Sequence, residues 1–101
     1  MECVELTIES FEEKINSNRI FVDFWATWCG PCSIMGAILE GFMEEHNDAC
    51  IGKYCIENDT TIPEKYGVSS IPTVLLFENG ELKKRKTGIM SLEEVEEFYY
   101  K

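Results

Sequence analysis

Positive charge is scarce in this chain. Lys and Arg number 9 against 19 Asp and Glu, for a net charge of -10 over 101 residues. A surface that acidic repels phosphate backbones and anionic headgroups, so neither nucleic acid nor membrane is an expected partner. Proline (3) and glycine (7) are few. No Pro/Gly/Ser linker, low-complexity tract or internal repeat divides the chain, so a single domain over residues 1–101 is expected. No stretch reaches the ~20 apolar residues of a membrane span. The start, Met1-Glu2-Cys3-Val4-Glu5, lacks the basic and apolar regions of a secretory leader. The expected location is therefore cytoplasmic. Histidine occurs once, at His46, and cysteine at Cys3, Cys29, Cys32, Cys50 and Cys55. An odd, unevenly spaced set in such a chain argues against a disulfide scaffold.

What is present is a core. Apolar residues make up 45% and aromatics 12%, and at this size nearly every long apolar side chain must serve one core. Residues 4–6 read as a short strand. Ser10 and Glu13 form a capping-box signature before a helix that places Phe11 and Ile15 on one face. Residues 20–26 are almost wholly apolar, as a central strand covered on both faces would be. From Pro31 the spacing turns helical, with Ile34, Met35, Ile38, Leu39 and Phe42 in one stripe. Residues 50–56 read as a strand, 63–66 as a short helix and 73–77 as a strand. Asn79-Gly80 is a hairpin turn. Residues 81–86 return antiparallel, with the run Lys83, Lys84, Arg85, Lys86 as a solvated strand face. Ser91 and Glu94 form a second capping box, before a helix with Leu92, Val95, Phe98 and Tyr99 on one face. The order βαβαβαββα predicts an α/β fold, a mixed sheet with helices on both sides.

Chemistry is expected at Cys29-Gly30-Pro31-Cys32, where a buried strand gives way to an amphipathic helix. Two cysteines at this spacing on a helix start lie about one turn apart, within reach of a disulfide. Cys29 precedes the helix, beside unpaired amides and the positive end of the dipole, which favour its thiolate. Cys32 lies within the first turn and points towards protein. Cys29 is thus the expected nucleophile and Cys32 the resolving thiol. The competing reading is zinc. Tetrahedral zinc wants four ligands, yet Cys50 and Cys55 fall on opposite faces of one strand and His46 reads as a helix-surface residue, so no metal is expected. Asp23 interrupts the apolar strand; a carboxylate buried there protonates more readily than usual. Cys3, Cys50 and Cys55 read as small buried apolar residues, with Cys3, near the chain end, a candidate regulatory thiol.

Residues 21–32, Phe-Val-Asp-Phe-Trp-Ala-Thr-Trp-Cys-Gly-Pro-Cys, resemble the active-site segment of thioredoxins. The likeness runs nearly the whole chain: Lys53 at a strand lysine, Lys65-Tyr66-Gly67-Val68 and Ile71-Pro72-Thr73 leading through a cis-proline, Phe77-Glu78-Asn79-Gly80 at the hairpin, and Thr87-Gly88 beside the groove. The resemblance implies a thioredoxin fold, a five-stranded mixed sheet flanked by four helices. It implies a protein-disulfide reductase acting through a reversible Cys29–Cys32 disulfide, re-reduced by a thioredoxin reductase, with disulfide-containing proteins as substrates, no bound cofactor, and a monomer. By the same resemblance, Asp23 is the buried acceptor of the Cys32 proton with Lys53 as its partner. Trp28 packs beside the disulfide and Trp25 beneath it, and Ser70, Ile71, Pro72 and Gly88 line the substrate groove. Gly30-Pro31 resembles the reducing members, and it places no extra cation between the sulfurs to stabilise the thiolate. The chain departs from the family pattern in three places: Ser33 after the second cysteine, Ala37 at a frequent kink proline, and the pair Ser69-Ser70 before Ile71. The alternative class is a binding module whose dithiol is incidental.

Overall fold

The computed structural model describes residues 2–16 and 18–101, and the side chains of Glu2 and Cys3 lie outside that description. The elements follow the expected order: β1 (Glu2–Glu5), α1 (Phe11–Ile15), β2 (Ile20–Trp25), α2 (Gly30–Glu45), β3 (Cys50–Cys55), α3 (Thr61–Lys65), β4 (Thr73–Glu78), β5 (Glu81–Thr87) and α4 (Leu92–Tyr100). The five strands form one sheet in the order β1-β3-β2-β4-β5. β1 and β2 run parallel to β3, while β4 is antiparallel to β2 and β5 to β4. The apolar run of β2, broken only by Asp23, has its cause in this order. It is the middle strand, and Ile20 through Phe24 are all buried.

Alternation along the strands sends successive side chains to opposite layers. Phe21 and Val74 meet Met35, Leu39 and Phe42 of α2 and Val95 and Tyr99 of α4. Val22, Phe24 and Leu75 meet Phe11 and Ile15 of α1 and Ile62 of α3. Asp23 shares the face of Phe21, so it points into the α2 layer. The hairpin between β4 and β5 turns on Asn79 (φ 52°) and Gly80 (φ 87°), the left-handed pair that matches strand twist. A Cβ at Gly80 would collide with Asn16 Oδ1.

Several local expectations need correction. Ser10 precedes α1 but makes no side-chain cap, because its own backbone is already helical (φ -94°, ψ -9°). Its hydroxyl instead accepts from the Thr7 amide at 3.0 Å, and its amide donates to Thr7 Oγ1 at 3.1 Å. Ser91 has extended backbone and completes a capping box: the Glu94 amide donates to Ser91 Oγ (3.1 Å) and the Ser91 amide to Glu94 Oε1 (2.8 Å). Ile34 belongs to no buried stripe; it is exposed, and Met43 extends the buried face instead. Leu6 lies beyond β1 yet is buried. The basic run lies on β5, the sheet's edge, but not all of it is solvated. Lys84 Nζ donates to the Phe98 carbonyl at 2.9 Å, and Arg85 donates to the Tyr66 carbonyl. Arg19 joins Lys84 at the end of α4, its Nη1 donating to the Tyr99 carbonyl at 3.1 Å while Nη2 pairs with Glu78 at 2.8 Å. These two cations satisfy helix-end carbonyls that α4, with no basic residue in its last turn, leaves open.

Candidate functional site

β2 ends at Trp25, whose carbonyl accepts from the Ile56 amide at 3.0 Å. The chain then turns through residues 26–29, closed by the Cys29 amide donating to the Ala26 carbonyl at 3.3 Å. Cys29 is the N-cap of α2, with extended backbone (φ -96°, ψ 106°) and Pro31 in the first turn. That backbone aims its sulfur back over the helix start, where Sγ accepts from the Cys32 amide at 3.2 Å. Cys29 and Cys32 form a disulfide with Cα atoms 5.3 Å apart.

Exposure does not separate the two cysteines. Cys29 is 6% and Cys32 5% exposed in the disulfide. The difference lies in the amide directed at Cys29, a donor that favours negative charge on that sulfur. Trp28, expected beside the disulfide, is open to solvent. It is 70% exposed, because it sits in the turn between β2 and α2 and neither layer covers it. Trp25, Ile56 and Ile71 are the side chains packed against Ala26, Cys29 and Cys32. Trp25 thus lies where expected, and Ile56 was not foreseen. Gly30 and Pro31 are exposed, and open space surrounds Gly30 where a Cβ would stand.

Asp23 is fully buried, and among the described residues neither carboxylate oxygen has a hydrogen-bond partner. Burial pushes its pKa up to about 6, with the Lys53 ammonium pulling the other way. Lys53 is its register neighbour on β3, half-buried, with Nζ 5.2 Å from the centre of the Trp25 ring. An enclosed cavity of about 10 Å³, bordered by Asp23, Gly36, Glu40 and Lys53, gives room for one water. An open cavity of about 270 Å³ is lined by Gly36, Glu40 and Lys53 together with Cys32 and Ser33. Gly36, Glu40 and Lys53 border both cavities.

The segment expected to line the groove also gathers here. The Ile71–Pro72 bond is cis, and Gly88 (φ 96°) donates its amide to the Pro72 carbonyl at 2.8 Å. Thr73 Oγ1 donates to the Ser70 carbonyl and lies 3.2 Å from Thr87 Oγ1. Ser70 is exposed, and half-buried Ile71 reaches the disulfide.

Two further findings concern residues away from this set. Glu57 Oε1 accepts from the Thr27 amide at 2.7 Å, a contact across 30 positions that no local pattern announces. His46 caps the end of α2 half-buried rather than on its surface, stacked near Phe42 and with Nε2 3.0 Å from Glu96. Among the described residues, the group close enough to share a metal is Glu45, His46 and Glu96, without a cysteine. Cys55 is buried and Cys50 half-buried, on opposite faces of β3 as their spacing requires. The regulatory reading of Cys3 falls on a side chain outside the described residues.

The thioredoxin family model matches residues 2–101. The chain is 43% identical over 100 residues to the thioredoxin of Buchnera aphidicola subsp. Acyrthosiphon pisum, covering 96% of this chain and 93% of that protein. It is 37% identical over 94 residues to the thioredoxin of Listeria monocytogenes, covering 92% and 91%. Among solved structures, a mutant thioredoxin from Halobacterium salinarum NRC-1 superposes with a TM-score of 0.87 at 24% identity, covering 97% of this chain and 88% of that one. With its Cys29–Cys32 disulfide at the start of α2 and this likeness along its length, the chain belongs to the thioredoxin family and is a thiol–disulfide oxidoreductase.

Proposed function

We propose that the protein reduces disulfides in other proteins, as a cytoplasmic monomer with one domain over residues 1–101, and that a thioredoxin reductase returns its electrons. Among the described residues, no helix is long and apolar enough to cross a membrane. The dithiol itself carries the electrons, with no bound cofactor or metal. The Cys29 thiolate attacks a substrate disulfide, forming a mixed disulfide and expelling one substrate sulfur as thiolate. Cys32 gives its proton to Asp23 and attacks the Cys29 sulfur. The Cys29–Cys32 bond forms, the mixed disulfide breaks, and the second substrate sulfur leaves reduced. Two electrons pass to the substrate. Lys53 tempers the cost of a charged Asp23. Trp28, Gly30 and Pro31 shape the exposed rim, and Ser70, Ile71, Pro72 and Gly88 offer backbone to an extended substrate segment. Gly30-Pro31 supplies no cation to the sulfurs, which favours the reducing direction.

The observation that carries this division of labour is the Cys32 amide donating to Cys29 Sγ at 3.2 Å. Cys32→Ser should accumulate covalent adducts with target proteins, seen as dithiothreitol-sensitive bands on a non-reducing gel. Cys29→Ser should accumulate none. Equal trapping by both variants would show the roles to be wrongly assigned. Failure of the unaltered protein to reduce insulin disulfides would remove the activity itself.

A further inference from the structure

We propose that Glu57 is a positioning residue for the attacking sulfur, holding the β2–α2 turn in the shape that seats Cys29 Sγ over the helix amides. This rests on the reading of Cys29 as the nucleophile. A single oxygen, Oε1, accepts from the Thr27 amide at 2.7 Å and from Cys55 Sγ at 3.6 Å, so the carboxylate is gripped from the strand behind it as well as from the turn. Ile56, one residue earlier, donates its amide to the Trp25 carbonyl at 3.0 Å. Consecutive residues leaving β3 thus sew down both ends of a short stretch, Trp25 and Thr27. Cys29 follows two residues after Thr27, its amide donating to the Ala26 carbonyl inside the same turn. Release of Thr27 frees the backbone before Cys29 to rotate, and the bond between the Cys32 amide and Cys29 Sγ depends on that backbone. The Thr27 amide also lowers the Glu57 carboxyl from its ordinary value, which favours its charged form. A negative charge near the turn opposes a thiolate rather than favouring it. The contribution of Glu57 is therefore geometric, and a neutral acceptor of the same shape should replace it.

The test compares Glu57→Gln with Glu57→Ala. Both remove the charge, and only Gln retains an oxygen for the Thr27 amide. The readouts are the pH profile of iodoacetamide alkylation, with the labelled cysteine located by mass spectrometry, and the rate of attack on a small aromatic disulfide. Glu57→Gln should attack within about twofold of the unaltered protein. Glu57→Ala should be slower than Glu57→Gln by about threefold to tenfold, the range one such hydrogen bond spans, and its Cys29 profile should move to higher pH than that of Glu57→Gln. Thermal unfolding of each variant shows that both are folded. If Ala and Gln agree in rate and profile, the positioning role is wrong, whether both match the unaltered protein or both depart from it. If the label falls on Cys32 in the unaltered protein, the assignment of the nucleophile fails first, and the proposal with it.

Discussion

Asp23 is held in a costly state. Its folded pKa, about 6, stands above the 3.8 of an exposed aspartate, so the native chain binds the proton more tightly than the unfolded chain. Between those values stability falls as pH rises, and above both the cost is complete, about 3 kcal/mol from a gap of that size. Asp23→Asn should remove it. At pH 8 the variant should melt higher by roughly 10–20 °C, given ~4–8 °C per kcal/mol for a domain near this size, and near pH 3.5 it should show little gain. Melting curves at the two pH values check this, and a gain of equal size at both would point to packing rather than ionisation. The buried acid was legible because a carboxylate set between apolar residues of a central strand has a covered layer on either side. The exposure of Trp28 was not, since a tryptophan beside a cysteine pair carries no sign of which way the turn throws it. Glu57 was invisible for a different reason: its partner is a backbone amide, which has no signature in sequence.

Helix α1 and helix α4 show how far a local motif reaches. Both begin with Ser-x-x-Glu, yet only Ser91 caps. The difference lies upstream, where Thr7 captures the Ser10 hydroxyl and amide before the helix can use them. Ser91→Ala should therefore destabilise the fold by about 1 kcal/mol. Ser10→Ala should cost less, because it removes a turn contact on an exposed segment and no cap. Denaturant midpoints of the two variants give the comparison, and an equal loss would contradict the asymmetry. The same contrast marks what a sequence discloses about elements. Period and punctuation located the strands and helices, because β2 is apolar but for Asp23 and Asn79-Gly80 tolerates positive φ at both positions. The pairing of β1 with β3 rather than with β2 has no local cause; it follows from crossovers that only packing both faces of the sheet can dictate.

At the scale of the whole molecule, charge is the least balanced quantity. A net charge of -10 on 101 residues repels itself most strongly in dilute buffer, where screening reaches ~30 Å at 0.01 M against ~3 Å at 1 M. Added sodium chloride should therefore raise the melting temperature by a few degrees. A fall would mean that ion pairs such as Arg19–Glu78 and Lys65–Glu12 outweigh the repulsion. The arginine of the first pair has a further effect. Arg19, from the approach to the central strand, and Lys84, from the edge strand, hold the last carbonyls of α4. A terminal helix ordinarily frays one residue at a time, and its amide hydrogens exchange with solvent long before those of the sheet. Here the last turn is clasped by the segment leading into β2 and by β5, so opening it breaks contacts with both. Deuterium should therefore enter the amides of Phe98 to Tyr100 on a timescale close to that of β4, and Arg19→Ala should uncouple the two, leaving the end of the chain to exchange on its own.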